Sequence, residues 1–357
     1  MTRRMNSAAC FWAISCGLLL TTPLRAESLL DQGQRLIDKG KYHKAIAVFS
    51  QYIDQYPTEV DGYRGRIEAE LMLRRYSDCV RDYALVTAKV IPLHPDASEQ
   101  IYLHYELRLQ TQPNDLNSLM GLSFAHWWYF EYPKAIHQQN KILKLYPNNR
   151  YALLMRASSR LLSRHQINRG LIDLYKAIDL DPNNPHVHFI AADAYTYGER
   201  DFERAFEEAQ LAMAGGLDTP RLHAILAVCY ANFGQELLAA EETLAHITMV
   251  TTNYVQGQPL EPGDTGLWTL VPGDTIVIPL DATAGESLSI TTDGPTGEVW
   301  DTILVLLAPD GTPVVSADDV NAYYAALDWT APVAGTYQLM VTSFESVQSG
   351  DMTVTRR

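Results

Sequence analysis

An internal repeat of about 34 residues constrains the fold of this chain more than any other sequence feature. Within each unit, an aromatic or apolar residue is followed three positions later by a small residue and twelve positions after that by a proline, as in Tyr42, Ala45 and Pro57. The small residue recurs at Ala45, Cys79, Ala135, Gly170, Ala205 and Ala239. Repeats of this length predict stacked helical pairs, in which each unit buries the apolar face of its neighbour.

These residues resemble the tetratricopeptide repeat family between about Glu27 and Met249. The resemblance implies a solenoid of about six helix-turn-helix repeats, in which the small residue lets two helices approach closely and the proline ends the second helix. The spacing from Cys79 to Ala135 is about 22 residues too long for one repeat. Apolar residues between Ser98 and Gln112 therefore predict one additional helix between the second and third repeats.

The composition changes after about Met249. From Thr252 to Arg357 there are fourteen acidic residues, two arginines and no lysine. β-branched or apolar residues occupy every second position in 274–280, 286–291 and 335–342, and turn sequences such as Asp310-Gly311 separate such runs. This pattern predicts seven or eight short strands in an antiparallel β-sandwich, so the chain is expected to be multidomain, all-α and then all-β.

The stretch Asp301–Thr312, the pair Asp318-Asp319 and the segments 328–332 and 335–337 resemble the bacterial pre-peptidase C-terminal domain. The resemblance covers roughly residues 258–357 and implies a jelly-roll-like sandwich. Such modules occur on secreted bacterial proteins and are associated with binding or secretion, without catalysis of their own. We therefore expect an accessory binding domain, whose partner could be a glycan or the cell envelope.

The N-terminus has the features of an export signal. Arg3 and Arg4 precede a mostly apolar stretch, and Leu24-Arg25-Ala26 resembles a cleavage site, which predicts a signal peptide over 1–26 and a secreted or periplasmic protein. Acylation at Cys16, as in a lipoprotein, is the alternative. The remaining boundaries are expected at 27–250 for the helical repeats, 251–262 for a linker and 263–357 for the sandwich.

The formal net charge of −14 makes nucleic acid and anionic membrane surfaces poor partners. No segment after the leader is apolar for long enough to predict a transmembrane helix. Cys79 and Cys229 match no zinc or redox spacing and lie in helical patterns, which favours two buried small side chains over a long-range disulfide.

By the geometry of the resembled repeats, the first helix of each unit lines a concave groove that holds a peptide or a protein partner. Carried over by position, the predicted groove residues are Asn117, Met120, Phe124, Trp127, Arg156, Ser159, His186, Asp193, Tyr197, Arg221 and Asn232. Trp127 has an alternative role, since a tryptophan beside a helix turn also packs readily against the next repeat. A carboxylate-clamp type of groove is not expected, because its asparagine and basic residues are not at the corresponding positions.

The acidic loops of the C-terminal half offer oxygen ligands of the kind that calcium prefers. The candidates are Glu298, Asp301, Asp318 and Asp319, although they do not form a contiguous calcium-binding loop. The same acids also suit solvated positions that discourage pairing between exposed strands. No cofactor is predicted apart from this calcium hypothesis.

No motif for nucleophilic, zinc-dependent or phosphate chemistry is found in the sequence. The chain is therefore predicted to be a non-enzymatic protein-interaction or scaffold protein outside the cytoplasm. The alternatives are an envelope structural or assembly factor and a hydrolase with an unrecognised site. Because no clear seventh helix follows Met249, we also expect the β-domain, or the strand-like segment Tyr254-Val255, to cover part of the end of the array, where Leu237, Leu244, Ile247 and Val250 would otherwise be left partly uncovered.

Overall fold

A computed structural model describes residues 22–91, 93–94, 96–164, 166–271, 273–293, 301–318, 324–343 and 350–357. Thirteen α-helices lie in these ranges. They are α1 Thr22–Asp38, α2 Tyr42–Gln55, α3 Val60–Met72, α4 Tyr76–Leu85, α5 Ala97–Thr111, α6 Leu116–Trp128, α7 Tyr132–Leu145, α8 Arg150–Leu162, α9 Ile167–Leu180, α10 Pro185–Asp193, α11 Phe202–Ala214, α12 Pro220–Asn232 and α13 Glu236–Val250. They form six antiparallel pairs and one additional helix, α5, as the repeat spacing predicted.

The six small residues of the repeat all lie on the second helix of a pair. Ala45, Cys79, Ala135, Gly170, Ala205 and Ala239 are buried. Polar caps mark the starts of the first helices in the last four repeats, where Asp115, Asn149, Asn184 and Thr219 each accept a hydrogen bond from a backbone amide of the first turn. Such caps satisfy amides that would otherwise lack partners, so the local sequence fixes where each of these four repeats begins.

The additional helix α5 packs against α6 through a tyrosine that occupies the space above a glycine. Tyr105 is fully buried, and a Cβ atom built on Gly121 would lie 2.3 Å from its ring. Only glycine allows this approach, so α5 is a fixed part of the array.

Two helices continue as π-helical turns, after α4 at Val86–Val90 and after α10 at Ala194–Glu199. The second of these extends the first helix of the fifth repeat to Glu199. It also brings Gly198 against α8, where a Cβ atom on Gly198 would lie 2.7 Å from the carbonyl carbon of Leu161.

Nine β-strands follow in the described ranges: β1 Asn253–Gln256, β2 Thr265–Leu270, β3 Asp274–Ala282, β4 Ser287–Asp293, β5 Thr302–Leu307, β6 Pro313–Ala317, β7 Ala326–Thr330, β8 Gly335–Ser343 and β9 Gly350–Arg356. They form a five-stranded sheet in the order β1-β3-β8-β5-β6 and a four-stranded sheet in the order β2-β9-β4-β7. Alternate apolar residues of both sheets face each other in one core. The predicted sandwich is confirmed, with more strands than expected.

The segment 251–262 is part of the sandwich, and the expectation of a linker there was wrong. Its strand β1 pairs with β3 in parallel, with Val255 opposite Ile276, and Leu260 is 5% exposed in the sandwich core. The strand-like segment Tyr254-Val255 lies within β1, but the pairing partner of so short a segment could not be read from the sequence. The chain passes from the last helix into the sheet within two residues.

The sandwich also packs directly on the last helix of the array. Ile247 of α13 is fully buried in a cluster with Ile303 and Val305 of β5 and Met340 of β8, and Leu244 packs against the same cluster. The expected covering of the array is therefore present at these positions. Leu237, by contrast, remains 55% exposed. Complete burial of an isoleucine side chain contributes about 1.5–3 kcal/mol, so this contact joins the two domains into one packed body.

Candidate functional site

The concave side of the middle repeats is filled by the protein's own helix α4. Tyr83 of α4 stacks on Phe124 of α6 with ring centroids 5.4 Å apart, and Tyr76 lies 5.9 Å from Tyr151 of α8. The Ser77 hydroxyl of α4 is 2.8 Å from Nδ1 of His186 in α10. A single helix thus contacts the first helices of three consecutive repeats, on the side where the resembled repeats hold their ligands.

Many of the predicted groove residues are buried and contact other residues of the helical array. Met120, Phe124, Trp127, Ser159 and Asp193 are buried. Nε1 of Trp127 donates a hydrogen bond to the Ser158 hydroxyl of the next repeat at 2.9 Å, which is the packing role considered as its alternative. Likewise, the Ser159 hydroxyl accepts from the side-chain amide of Gln139 at 3.1 Å.

The remaining predicted groove residues lie partly or fully at the surface, and the structure brings two of them, Tyr197 and Arg221, into contact. Asn117, Arg156, His186, Tyr197 and Arg221 are half-buried, whereas Asn232 is exposed and its side-chain amide donates to the carbonyl of Val228. A peptide ligand could reach only such side chains without displacing α4. Their role in binding stays a prediction.

Three of the predicted groove residues form a charged cluster at the junction with the sandwich. Arg221 donates to Asp193 at 2.9 Å, and its guanidinium lies 4.5 Å from the ring centroid of Tyr197. Burial raises the pKa of Tyr197, and the carboxylates Asp318, Asp193 and Asp301 raise it further against the opposing effect of Arg221. Acids of the β-domain therefore face this cluster.

Two of the four calcium candidates, Asp301 and Asp318, are accordingly placed next to the helical array. Glu298 and Asp319 lie outside the described residues. Within the ranges that the structure describes, no group of three or more His, Cys, Asp or Glu side chains could hold a metal ion. Calcium binding stays a prediction.

Two histidines that recur 35 residues apart, His188 and His223, are held by acids of the paired helix. Nδ1 of His188 is 2.6 Å from Glu208, and its Nε2 is 2.8 Å from the carbonyl of Pro182. Nδ1 of His223 is 2.5 Å from Glu242, and its Nε2 is 2.8 Å from Asp218. Only the doubly protonated imidazolium donates from both nitrogens, and the hydrogen bonds to Glu208 and Glu242 are the main causes that raise the two pKa values.

The outer side of the third and fourth repeats carries a surface that motif reasoning missed. We define the α7–α9 face by its exposed side chains Lys141, Lys144, Leu145, Ile172, Tyr175 and Lys176. Lys141 and Lys176 are one repeat apart, so the repeat period already indicates that these two lysines occupy equivalent positions. The predicted groove residues belong to first helices, whereas these residues lie on second helices.

In the described ranges, none of the helices has the length and apolarity that crossing a membrane requires.

Residues 274–343 match the family model of the bacterial pre-peptidase C-terminal domain, which confirms the resemblance for this part of the chain. A solved pre-peptidase C-terminal domain of a collagenase from Bacillus anthracis is 16% identical, with a TM-score of 0.24, and the match covers 29% of this chain and 95% of that one. No curated protein matches the chain.

The helical part is similar to solved repeat proteins. A tetratricopeptide repeat protein from Parabacteroides merdae is 15% identical with a TM-score of 0.37, and the match covers 65% of this chain and 81% of that one. PilF of Pseudomonas aeruginosa is 15% identical with a TM-score of 0.35, covering 62% of this chain and 90% of that one. At such identities the comparison concerns the fold and says nothing of a partner.

Proposed function

We propose that this chain is a protein-interaction scaffold that works outside the cytoplasm. In this proposal the helical array presents a rigid docking surface, and the β-sandwich closes the end of the array and serves as an accessory binding domain. The leader-like residues 1–26 support the compartment, and the pre-peptidase-type domain supports a role in binding.

The observation that carries the proposal is a set of large apolar side chains left exposed on consecutive second helices. Ile172 and Tyr175 of α9 are 67% and 46% exposed, and Leu211 of α11 is 50% exposed. α9 and α11 are adjacent here, since Arg204 of α11 donates to the Tyr175 hydroxyl at 2.9 Å. Contiguous exposed apolar side chains, rimmed by polar groups, are typical of protein docking surfaces.

The way in which α4 fills the concave side supports the choice of the outer side for docking. The α4 side chains of Tyr76, Cys79 and Tyr83 are completely buried, so α4 belongs to the core of the array. Removing two buried tyrosines from their packing would cost several kcal/mol, at about 3–5 kcal/mol for each large aromatic side chain. A ligand that displaced α4 would need to repay this cost.

Site-specific photo-crosslinking in a bacterial host tests the proposal. A photoreactive amino acid replaces Ile172 in one variant and the exposed Lys39 in a control variant, both in the full chain with residues 1–26. We expect the chain in the extracytoplasmic fraction and a defined protein adduct from position 172 alone. A chain retained in the cytoplasm would contradict the proposed compartment, and equal adducts from both positions, or none from either, would contradict the proposed docking surface.

A further inference from the structure

The charge of the helical array is unevenly distributed. Residues 131–180 contain nine Lys and Arg against three Asp and Glu, a net charge of +6, whereas the rest of the chain contains 19 against 39, a net charge of −20. A cationic region within so acidic a protein is not accounted for by solubility, because the rest of the chain already provides a large net charge. It therefore calls for a specific role.

The acids of this region are largely neutralised by neighbours, which leaves the lysines of the α7–α9 face uncompensated. Asp173 pairs with Arg156 and Arg160, and Glu131 pairs with His126 and Lys134. Lys141, Lys144 and Lys176 are exposed, and no ion pair joins any of them to another described residue. Asp179 is the remaining acid of the region.

One arginine joins the two helices that carry the lysines of the α7–α9 face. The guanidinium of Arg156 reaches both helices, donating to Asn140 of α7 at 2.8 Å and to Asp173 of α9 at 2.7 and 2.8 Å. Arg156 thus holds together the two helices that carry this face, with Lys141 and Lys144 on α7 and Ile172, Tyr175 and Lys176 on α9.

We infer that the α7–α9 face binds an acidic polypeptide segment that carries aliphatic or aromatic side chains. Carboxylates of such a segment would pair with Lys141, Lys144 and Lys176, while its apolar side chains would cover Ile172 and Tyr175. This inference rests on the proposed scaffold function and names the chemistry of its partner.

Charge and surface composition together favour a polypeptide over a nucleic acid. A long polyanion bound at this face would also approach the remainder of the chain, whose net charge of −20 repels it. The apolar side chains also have no counterpart on a phosphate backbone, whereas an acidic peptide with leucine or phenylalanine side chains matches both components. Ile172, which is 67% exposed, is the most exposed apolar side chain of the α7–α9 face.

Binding of a labelled synthetic peptide to the purified protein, followed by fluorescence anisotropy, tests this inference. The probe is a 16-residue peptide of glutamate and leucine, and a second probe has glutamine at every glutamate position. We expect K141E/K144E/K176E to weaken binding of the acidic probe about thirtyfold or more, because three attractions become repulsions. K39E/K41E/K44E, which makes the same charge change at exposed positions of the first repeat, should stay within about twofold.

The apolar part of the face is tested separately. I172S/Y175S keeps the charge and should weaken binding of the acidic probe roughly tenfold, because it removes exposed apolar contact area. Circular dichroism spectra that match the wild type show that each variant is folded. The glutamine probe should bind at least tenfold more weakly than the acidic one.

Three results would overturn the inference. These are equal losses in the two lysine variants, equal binding of both probes, and a single-stranded DNA of the same charge that binds as tightly and is insensitive to I172S/Y175S. Self-association that K141E/K144E/K176E abolishes would reassign the face to a second copy of this chain. A crosslink from position 172 to a partner whose binding is unaffected by the lysine variant would uphold the scaffold and contradict the acidic partner alone.

Discussion

Arg156 of α8 holds Asp173 of α9 through two parallel hydrogen bonds of 2.7 and 2.8 Å. The second repeat contains the same pairing, in which Arg66 of α3 donates to Asp82 of α4 at 2.6 and 2.7 Å. In both repeats a third guanidinium hydrogen bond reaches the second helix of the preceding repeat, at Asn140 and at Ser50. One arginine therefore ties three helices together in each of these repeats.

Replacing Arg156 with alanine should lower the free energy of unfolding by about 2–3 kcal/mol, because Asp173 would be left with only Arg160 in a largely buried position. The value lies below that of a fully buried pair, since the Arg156 side chain is 19% exposed. Urea denaturation measures the change. Arg64→Ala is the control, because its partner Asp61 is 46% exposed, and we expect a loss below about 1 kcal/mol. Equal losses in the two variants would contradict the role given to Arg156.

The histidine pair should make the array less stable as the pH rises. The pKa values of His188 and His223 are raised in the folded protein by their partners Glu208 and Glu242. Their contribution is complete below the unfolded value of about 6.5 and is lost as the pH rises through the folded pKa values. The difference in Tm between wild type and H188Q/H223Q should therefore be largest near pH 6 and should shrink as the pH rises toward 9.

The exposed His137 provides the control for this pH dependence. The H137Q variant should follow the wild type at each pH. A constant difference in Tm between wild type and H188Q/H223Q from pH 6 to pH 9 would show that the two histidines act through packing and not through their charge.

Glu70 should be protonated in the folded protein at neutral pH. Burial, with further contributions from Asp82 and Asp78, raises its pKa to about 9. Such a group contributes stability below the unfolded pKa of about 4.5, and this is lost as the pH rises toward 9. Glu70→Gln removes this titration. The free energy of unfolding of the variant, relative to wild type, should therefore rise by at least about 1 kcal/mol from pH 6 to pH 8.

Urea denaturation at the two pH values measures the effect of Glu70→Gln. Glu99→Gln, at an exposed position of α5, is the matched control and should show no such gain. A Glu70→Gln variant whose stability relative to wild type is the same at pH 6 and pH 8 would indicate an ionised Glu70 in the folded state.

Local sequence signals predicted most of the elements but not all of their partners. Ala45 and its repeat equivalents, the polar caps and the alternating strands each encode a contact that lies close in sequence. The position of α4 is different, because Tyr76 and Cys79 fit an ordinary second helix, and its contact with His186 spans 109 residues. Helical periodicity reports which face is buried, but not which distant helix covers it.

The surface sites were less predictable than the helices and strands, because they also depend on contacts between residues that are distant in sequence. The predicted groove assumed that the first helices face solvent, and the side chains of α4 that cover Phe124 belong to a different repeat. The strand β1 has four residues and follows directly after α13, so its parallel pairing with β3 follows from the packing of α13 on the sandwich. The lysines of the α7–α9 face were visible in the sequence, but only the structure shows that Arg156 joins their helices.

The union of the helical array with the β-sandwich through Ile247 underlies the proposed rigid scaffold, and differential scanning calorimetry of the intact protein tests it most directly. We predict a single cooperative transition for the wild type. Ile247→Asp buries a charge in the shared cluster and should separate the trace into two transitions, whereas Leu237→Asp, at a 55% exposed position of the same helix, should leave one. Two independent transitions in the wild type, or identical traces for the two variants, would contradict the union of the two domains.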